Sequence, residues 1–168
     1  MSSTMEKRLK KELANLVRDP PSGIVVDADR IAQNITEWIV TLEGASGTLY
    51  DGEQFQLQFK FSPKYPFDSP QVVFVGSNIP VHPHIYSNGH ICLSILTEDW
   101  SPALSVQSIC LSVISMLSSC KEKVCLSLLL DWLSLLLFYR NGLLMMPGIS
   151  PVALKILKTL AGGTMVSL

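Results

Sequence analysis

The sequence predicts an α+β domain in which an N-terminal helix, an antiparallel β-meander, a long irregular loop and a second helix follow one another. Three patterns support this prediction. Apolar side chains recur at helical spacing in residues 4–18 and again in residues 106–117, whereas residues 54–61 alternate between apolar and polar side chains. Helices that flank a run of short strands favour an α+β fold over an alternating α/β fold.

Length, charge and composition limit the classes of protein to which this chain can belong. The chain has 168 residues, which suits one domain of ordinary size, and its 13 basic and 14 acidic side chains give a net charge of −1. This balance argues against a general binder of nucleic acid or of an anionic membrane surface, which would be strongly basic. From Val124 to Leu168, however, 28 of 45 residues are apolar. We therefore predict a folded domain over residues 1–123 and a separate hydrophobic tail over residues 124–168.

The N-terminal helix is marked at both ends. Ser3 and Glu6 have the spacing of a capping box, and Asp19-Pro20-Pro21 ends the helical pattern. Its apolar face consists of Met5, Leu9, Leu13 and Leu16, and the rest of its surface carries Lys7, Arg8, Lys10 and Lys11. The basic residues are compatible with two interpretations, a solvated helix face or a docking face for an acidic partner.

Apolar runs after this helix predict strands. They cover residues 38–42, 54–61 and 72–75, with a weaker run at residues 23–26. Glycine- and proline-containing turns separate them, which favours an antiparallel meander. The second helix begins after Ser105, a good N-cap residue, and its pattern ends near residues 118–121.

Residues 76–104 follow no regular period, yet they contain all three histidines and Cys92. A loop of this length in a compact domain is usually functional or disordered, and its apolar side chains favour a packed loop. The cysteines are Cys92, Cys110, Cys120 and Cys125. Neither a Cys-x-x-Cys pair nor a secretory signal pattern accompanies them, so we expect free thiols in the reducing cytoplasm and nucleus.

The histidines of this loop allow more than one interpretation. His82, His84, His90 and Cys92 are ligand types for zinc, but their spacing differs from that of zinc fingers and ribbons, so we predict no metal site. His90, two residues before Cys92, could lower the pKa of that thiol if both lie on one side of an extended segment. A solvated loop histidine is the other interpretation.

An ordered set of motifs surrounds Cys92. His82-Pro83-His84 precedes it, Trp100-Ser101-Pro102-Ala103-Leu104 follows it, and Phe61-Ser62-Pro63-Lys64-Tyr65-Pro66-Phe67 and a glycine-rich hairpin at residues 44–52 lie upstream. Together, over residues 5–123, these motifs resemble the ubiquitin-conjugating enzymes. The resemblance implies the fold of that family for residues 1–123, with the family's later C-terminal elements replaced in this chain.

The resemblance implies a transferase. Cys92 matches the acceptor cysteine, which receives the C-terminal carbonyl of ubiquitin from the ubiquitin-activating enzyme as a thioester and passes it to amines of protein substrates. His84 stands in the catalytic triplet, and His82, Asn88 and Ser94 are expected to support the active-site loop. The chain itself is expected to need no cofactor, because ATP is used upstream by the activating enzyme.

The third residue of the triplet departs from the family's usual asparagine. His84 resembles the W type of the family, which is associated with monoubiquitination of the α-amino group at a substrate's N-terminus. An α-amine has a pKa of about 7.7–8.0 and a lysine side chain about 10.4, a gap worth about 3.5 kcal/mol of deprotonation. Ser94 stands where lysine-directed members have an acid that assists the amine. We therefore predict a preference for the N-terminal α-amine.

The resemblance also assigns partner surfaces. The activating enzyme is expected to bind the first helix through Lys7, Arg8 and Lys11. RING or U-box ubiquitin ligases are expected to bind a surface formed by Phe61, Ser101, Pro102 and Ala103. For Phe61 a second interpretation is the core-facing end of its strand. No nucleic-acid partner is expected.

The tail does not continue the family pattern. Val124–Tyr139 has 13 apolar residues in 16, where the W type has a basic segment with proline and tryptophan. Three interpretations remain open: a membrane tail anchor, a buried helix, or a segment from an alternative transcript or incorrect gene model with no selected fold. Because the replaced region normally supplies an acidic residue near the cysteine, the alternative function is an inactive or interfering isoform that binds ligases without transferring ubiquitin.

Overall fold

A computed structural model describes residues 4–121 and 123, so the predicted tail over residues 124–168, with Cys125, lies outside the described residues. Within the described part, three α-helices accompany a four-stranded sheet. The helices are α1 (Thr4–Arg18), α2 (Ala28–Gln33) and α3 (Val106–Ser118), and the strands are β1 (Ile24–Val26), β2 (Glu37–Glu43), β3 (Gln54–Lys60) and β4 (Gln71–Val75). The predicted α+β class is confirmed.

The sheet is a meander in the order β1-β2-β3-β4, and each neighbouring pair is antiparallel. Alternation in β3 buries Phe55, Leu57 and Phe59 on one face. The register places Phe59 opposite Trp38 and Leu57 opposite Phe74, so cross-strand apolar pairs fill the inner face. The four predicted strands are confirmed to within one residue at each end.

Both long helices are confirmed as well. α1 buries Leu9 and Leu16, and α3 buries an apolar stripe that includes Ile109 and Val113. Ser105 caps α3, because its side chain accepts a hydrogen bond from the backbone N–H of Ser108 (3.2 Å). Among residues 4–121 and 123, no helix combines the length and apolar character needed to cross a membrane.

The short helix α2 is not predicted from the sequence. Its N-cap is Asp27, whose side chain accepts a hydrogen bond from the backbone N–H of Arg30 (3.0 Å). With six residues and a single buried side chain, Ile31, this helix is too short to show an apolar period. The sequence signal for α2 is therefore its N-cap residue and not a periodic apolar face.

One carboxylate connects α1, α3 and the loop after β3. Glu12 is 6% exposed, and its Oε1 accepts hydrogen bonds from the Tyr65 hydroxyl (2.7 Å) and from Nε of Arg8. Its Oε2 accepts a hydrogen bond from the backbone N–H of Val106 (2.8 Å), while Arg8 also donates from Nη2 to the carbonyl of Leu104 (2.8 Å). The hydrogen bond to Glu12 raises the pKa of Arg8. Because Val106 begins α3, the carboxylate lies where a helix N-terminus favours an anion.

Replacement of Glu12 should destabilise the whole domain. We expect Glu12→Ala to lower the free energy of unfolding by about 2–4 kcal/mol, because the buried Tyr65 hydroxyl and Val106 N–H lose their acceptor. The exposed Glu43→Ala is the matched control, with an expected change within about 0.5 kcal/mol. Urea unfolding followed by circular dichroism measures both, and equal stabilities of the two variants would contradict the role assigned to Glu12.

Candidate active site

The loop that carries Cys92 is fixed to β4 through Gly89. The carbonyl of Gly89 accepts a hydrogen bond from the backbone N–H of Phe74 (2.8 Å), and His90 pairs with Val73 in an isolated antiparallel bridge. Gly89 has a φ of 86°, and a Cβ at this position would lie 2.0 Å from the carbonyl oxygen of Phe74. Glycine is therefore required at this close approach, and the long loop is packed against the sheet.

A turn from Tyr86 to Gly89 reverses the chain ahead of Cys92. The backbone N–H of Gly89 donates to the carbonyl of Tyr86 (2.9 Å), and the N–H of Tyr86 donates to the carbonyl of His90 (2.9 Å). The side chain of Asn88 accepts a hydrogen bond from the backbone N–H of His90 through Oδ1 (3.2 Å). Asn88 thus holds the end of the turn from which the chain runs to the cysteine.

Cys92 is exposed, and its backbone fixes its position. Its N–H donates to the carbonyl of His84 (2.8 Å), and the preceding residue Ile91 pairs with Ile85 in an antiparallel bridge. A 3-10 helix (Ser94–Leu96) begins two residues later. The thiol is therefore accessible to a reactant while main-chain hydrogen bonds determine where it lies.

His82 is buried, at 3% exposure, and joins the loop to α3. Its Nδ1 accepts a hydrogen bond from the backbone N–H of His84 (2.9 Å), and the backbone of Met116 in α3 interacts with the ring and acts to raise its pKa. Burial, and then the nearby His84, lower the pKa of His82. A neutral ring can accept this hydrogen bond at Nδ1, whereas a protonated ring cannot. The geometry suits an anchoring residue, whereas the His84 side chain is exposed.

Two open grooves flank Cys92, and His84 and Ser94 line both of them. The groove toward α3, called here the helix groove, has a volume of about 690 Å³. Its helical wall consists of Leu111, Ser112, Ser115, Met116 and Ser119. Serine hydroxyls and apolar groups make up this helical wall, so none of its described side chains is acidic or basic.

The second groove, called here the turn groove, has a volume of about 610 Å³. Besides the residues shared with the helix groove, it is lined by Tyr86, Asn88, His90, Ile91, Thr97 and Glu98. Glu98 is the carboxylate among these described lining residues, and sequence analysis assigns it no role. Its sequence position, at the end of an irregular loop beside Asp99, gives no signal that it shares a groove with the cysteine.

The other described cysteines differ from Cys92 in exposure. Cys110 is buried in α3, and burial raises the pKa of its thiol to about 12, which makes it a poor nucleophile. Cys120 is half-buried just beyond α3. Over the residues that the structure describes, no group of three or more His, Cys, Asp or Glu side chains is placed to hold a metal ion.

Phe61 lies in the core, which corrects its prediction as a partner-binding residue. It is 7% exposed, and its ring lies 5.4 Å from that of Trp38 and 4.8 Å from that of Tyr65 between centroids. The alternation of β3 continues one residue past the end of the strand, and this turns Phe61 inward. The alternative interpretation, a core-facing strand end, is therefore the one that the burial supports.

Phe67, at the other end of the same motif, is 75% exposed and was missed by sequence reasoning. The indole N–H of Trp100 donates to the carbonyl of Pro66 (2.9 Å), which holds this loop against the segment that continues into Ser101, Pro102 and Ala103. All three of those residues are exposed. Phe67 and the predicted Ser-Pro-Ala segment thus lie on two loops that this hydrogen bond joins, and together they are a candidate docking surface.

On the basic face of α1, Arg8 also makes contacts within the fold, and its partner contact stays a prediction. The resemblance predicts that Arg8 contacts a partner, but its guanidinium is hydrogen-bonded to Glu12 and to the carbonyl of Leu104, and its side chain is 30% exposed. Lys7 and Lys11 are exposed. Arg8 therefore connects α1 to the segment before α3, and the lysines carry the accessible charge of this face.

Comparisons with known proteins agree with this architecture. A family model described as "Ubiquitin-conjugating enzyme" matches residues 8–131. The chain is 69% identical over 121 residues to the probable ubiquitin-conjugating enzyme E2 W-A of Danio rerio, covering 72% of this chain and 80% of that one. It is 60% identical over 123 residues to ubiquitin-conjugating enzyme E2 W of Caenorhabditis elegans, covering 73% and 81%. The crystal structure of ubiquitin-conjugating enzyme UbcA1 from Agrocybe aegerita matches with a TM-score of 0.70 and 44% identity, covering 74% and 89%.

Gly89→Ala should damage the loop more than the same change at another glycine of positive φ. Gly47 has a φ of 76°, and a methyl group added there would meet no other atom within 4 Å, so Gly47→Ala should cost about 1 kcal/mol of stability. Gly89→Ala should cost about 1–3 kcal/mol more, because its methyl group meets the Phe74 carbonyl. Urea unfolding compares the two, and equal losses would contradict the close approach.

The stability of the domain should fall as pH decreases below about 6.5, the pKa of an unfolded histidine. His82 has a lowered pKa in the fold, so the unfolded chain takes up the proton first, and the stabilisation present above this pH is lost progressively until the folded pKa is reached. Urea unfolding between about pH 8 and 5 measures how steeply the free energy of unfolding changes with pH. His82→Gln should reduce this slope, and the exposed His90→Gln is the matched control; a slope that persists in His82→Gln would contradict this assignment.

Proposed function

The chain belongs to the ubiquitin-conjugating enzyme family, and we propose that it works through Cys92, which carries ubiquitin as a thioester to an amine of a protein substrate. One observation carries the proposal: Cys92 is exposed between two open grooves, and its N–H is fixed to the His84 carbonyl. A fixed and accessible thiol meets the needs of a group that must accept a large acyl donor and then release it.

The proposed reaction has two balanced steps. In the first, the Cys92 thiolate attacks the thioester of the ubiquitin-activating enzyme; a new C–S bond forms, the old one breaks, and the activating enzyme regains its thiolate. In the second, a neutral amine attacks the carbonyl carbon, a C–N bond forms, and the Cys92 thiolate leaves while the amine gives up a proton. ATP is consumed upstream, so neither step asks this chain for a cofactor.

We further propose that the preferred acceptor is the α-amine of a substrate's N-terminus, giving monoubiquitination. Position 94 is serine, so the residue two after Cys92 offers no carboxylate to an incoming lysine. At neutral pH an α-amine is neutral roughly 300 times more often than a lysine side chain, given pKa values about 2.5 units apart. A site with few groups that activate an amine favours the one that loses its proton most easily.

The exposed surfaces support two kinds of protein partner. Lys7 and Lys11 present positive charge for an acidic surface of the activating enzyme. Phe67 presents a large apolar side chain beside the exposed Ser-Pro-Ala segment, which suits a RING or U-box ligase. These assignments move the aromatic contact from Phe61, which is buried, to Phe67.

A second candidate function is an inactive or interfering isoform that binds ligases but does not transfer ubiquitin. The extent of the similarity favours it: the match to the Danio rerio relative covers 121 residues, 72% of this chain, and the apolar composition of residues 124–168 departs from that of an ordinary domain. Such a form would keep the docking surface around Phe67 without carrying ubiquitin on Cys92.

A loading assay followed by a discharge assay tests the proposal. With activating enzyme, ATP and ubiquitin, the full chain should form an adduct on a non-reducing gel that a thiol reagent removes. Cys92→Ala should form none, Cys92→Ser should form an ester that resists the thiol reagent, and Cys120→Ala should load normally as the matched control. Binding of a ligase without any adduct in the unaltered chain would favour the interfering isoform instead.

The loaded enzyme is then offered two peptides. One has a free N-terminus and no lysine, and the other has an acetylated N-terminus and one lysine. We expect discharge to the first to be at least about ten times faster near neutral pH, because its amine is neutral more often. Equal rates would contradict the preference for the α-amine and leave the thioester mechanism intact.

A further inference from the structure

In its described lining, the turn groove presents one carboxylate beside the reactive cysteine. Glu98 lines this groove together with Cys92, His90 and Asn88, and it is exposed to solvent. The helix groove, on the other side of the thiol, is lined in the described residues by serines and apolar side chains of α3 and by His84. A cationic reactant that approaches Cys92 therefore meets a negative charge on one side of the thiol.

The backbone on both sides of Glu98 is fixed. The N–H groups of Thr97 and Asp99 both donate to the carbonyl of Ser94, each at 2.9 Å, and these bonds fold the chain into a tight turn around the glutamate. The hydroxyl of Thr97 lies 3.4 Å from Oε2 of Glu98. The carboxylate is thus presented from a fixed position, although its own side chain is solvated.

A substrate N-terminus is itself a cation for most of the time. With a pKa of about 7.7–8.0, roughly three quarters of α-amines are protonated near pH 7.4. Attraction between two exposed charges is modest and raises local occupancy by about two- to five-fold. Loss of the proton to solvent then leaves a neutral amine at the place where the ammonium group was held.

We propose that Glu98 binds the α-ammonium group of the substrate's N-terminus in the turn groove and so positions the amine beside the Cys92 thioester. This inference rests on the function proposed above and names the residue that holds the acceptor. The carboxylate attracts a lysine ammonium equally, but a bound lysine stays protonated near neutral pH because its pKa is about 10.4. Glu98 therefore concentrates both amines, and the α-amine is the one that reacts.

Single-turnover discharge tests the proposal. Cys92 is loaded with ubiquitin, ATP is removed, and a lysine-free peptide with a free N-terminus is added at increasing concentration. Glu98→Gln should raise the concentration for half-maximal discharge about two- to five-fold and leave the maximal rate unchanged, since it removes binding and not chemistry. Asp99→Asn, which removes the same charge next to the groove lining, should leave both values unchanged.

Two further measurements test whether the effect of Glu98→Gln comes from attraction of the peptide's ammonium group: discharge at high salt, and discharge to an acceptor without charge. About 1 M salt should remove the difference between Glu98→Gln and the unaltered chain, because screening then acts over about 3 Å. Discharge to hydroxylamine, which is uncharged near neutral pH, should be the same in all three proteins. Equal shifts in Glu98→Gln and Asp99→Asn, or an equal loss with hydroxylamine, would overturn the role of Glu98 alone. Failure of the unaltered chain to load would overturn the proposed function and this inference with it.

Discussion

The buried carboxylate of Glu12 constrains how the two long helices meet. It accepts hydrogen bonds from three segments: from Arg8 within α1, from Tyr65 in the loop after β3, and from Val106 at the start of α3. Desolvation of a carboxylate is costly unless its oxygens are engaged, so removal of any of these donors leaves charge without compensation. Apolar side chains alone would tolerate small slides between the helices, whereas three directional bonds to one group do not.

A short series of contacts through His82 and His84 connects α3 to the reactive thiol. The backbone of Met116 interacts with the His82 ring, Nδ1 of that ring accepts a hydrogen bond from the N–H of His84, and the carbonyl of His84 accepts one from the N–H of Cys92. Gly89 supplies the second attachment, to β4. A helix and a strand therefore fix the loop from two sides, which explains how a segment without regular structure can hold a cysteine in place.

Periodic segments were predictable from the sequence, and contacts between distant segments were not. The helices and strands with a buried face show their period in the residue order, so α1, α3 and the strands were predicted almost to the residue. The inward turn of Phe61 and the engagement of Arg8 with Glu12 depend on neighbours that only the folded chain brings together. Glu98 was overlooked for the same reason, because its relation to Cys92 is a shared groove and not a spacing. The division at residue 123 stays a prediction.

The main chain and the side chain of His84 have different roles near the thiol. In the hydrogen bonds that the structure describes, it acts through its main chain, whose N–H and carbonyl connect His82 to Cys92, while its side chain is exposed and lines both grooves. The described hydrogen bonds that position Cys92 therefore use the main chain of residue 84 and not its side chain. Side chains around the thiol are then free to determine which amine is accepted. Among the described residues they include histidines, a serine and the carboxylate of Glu98.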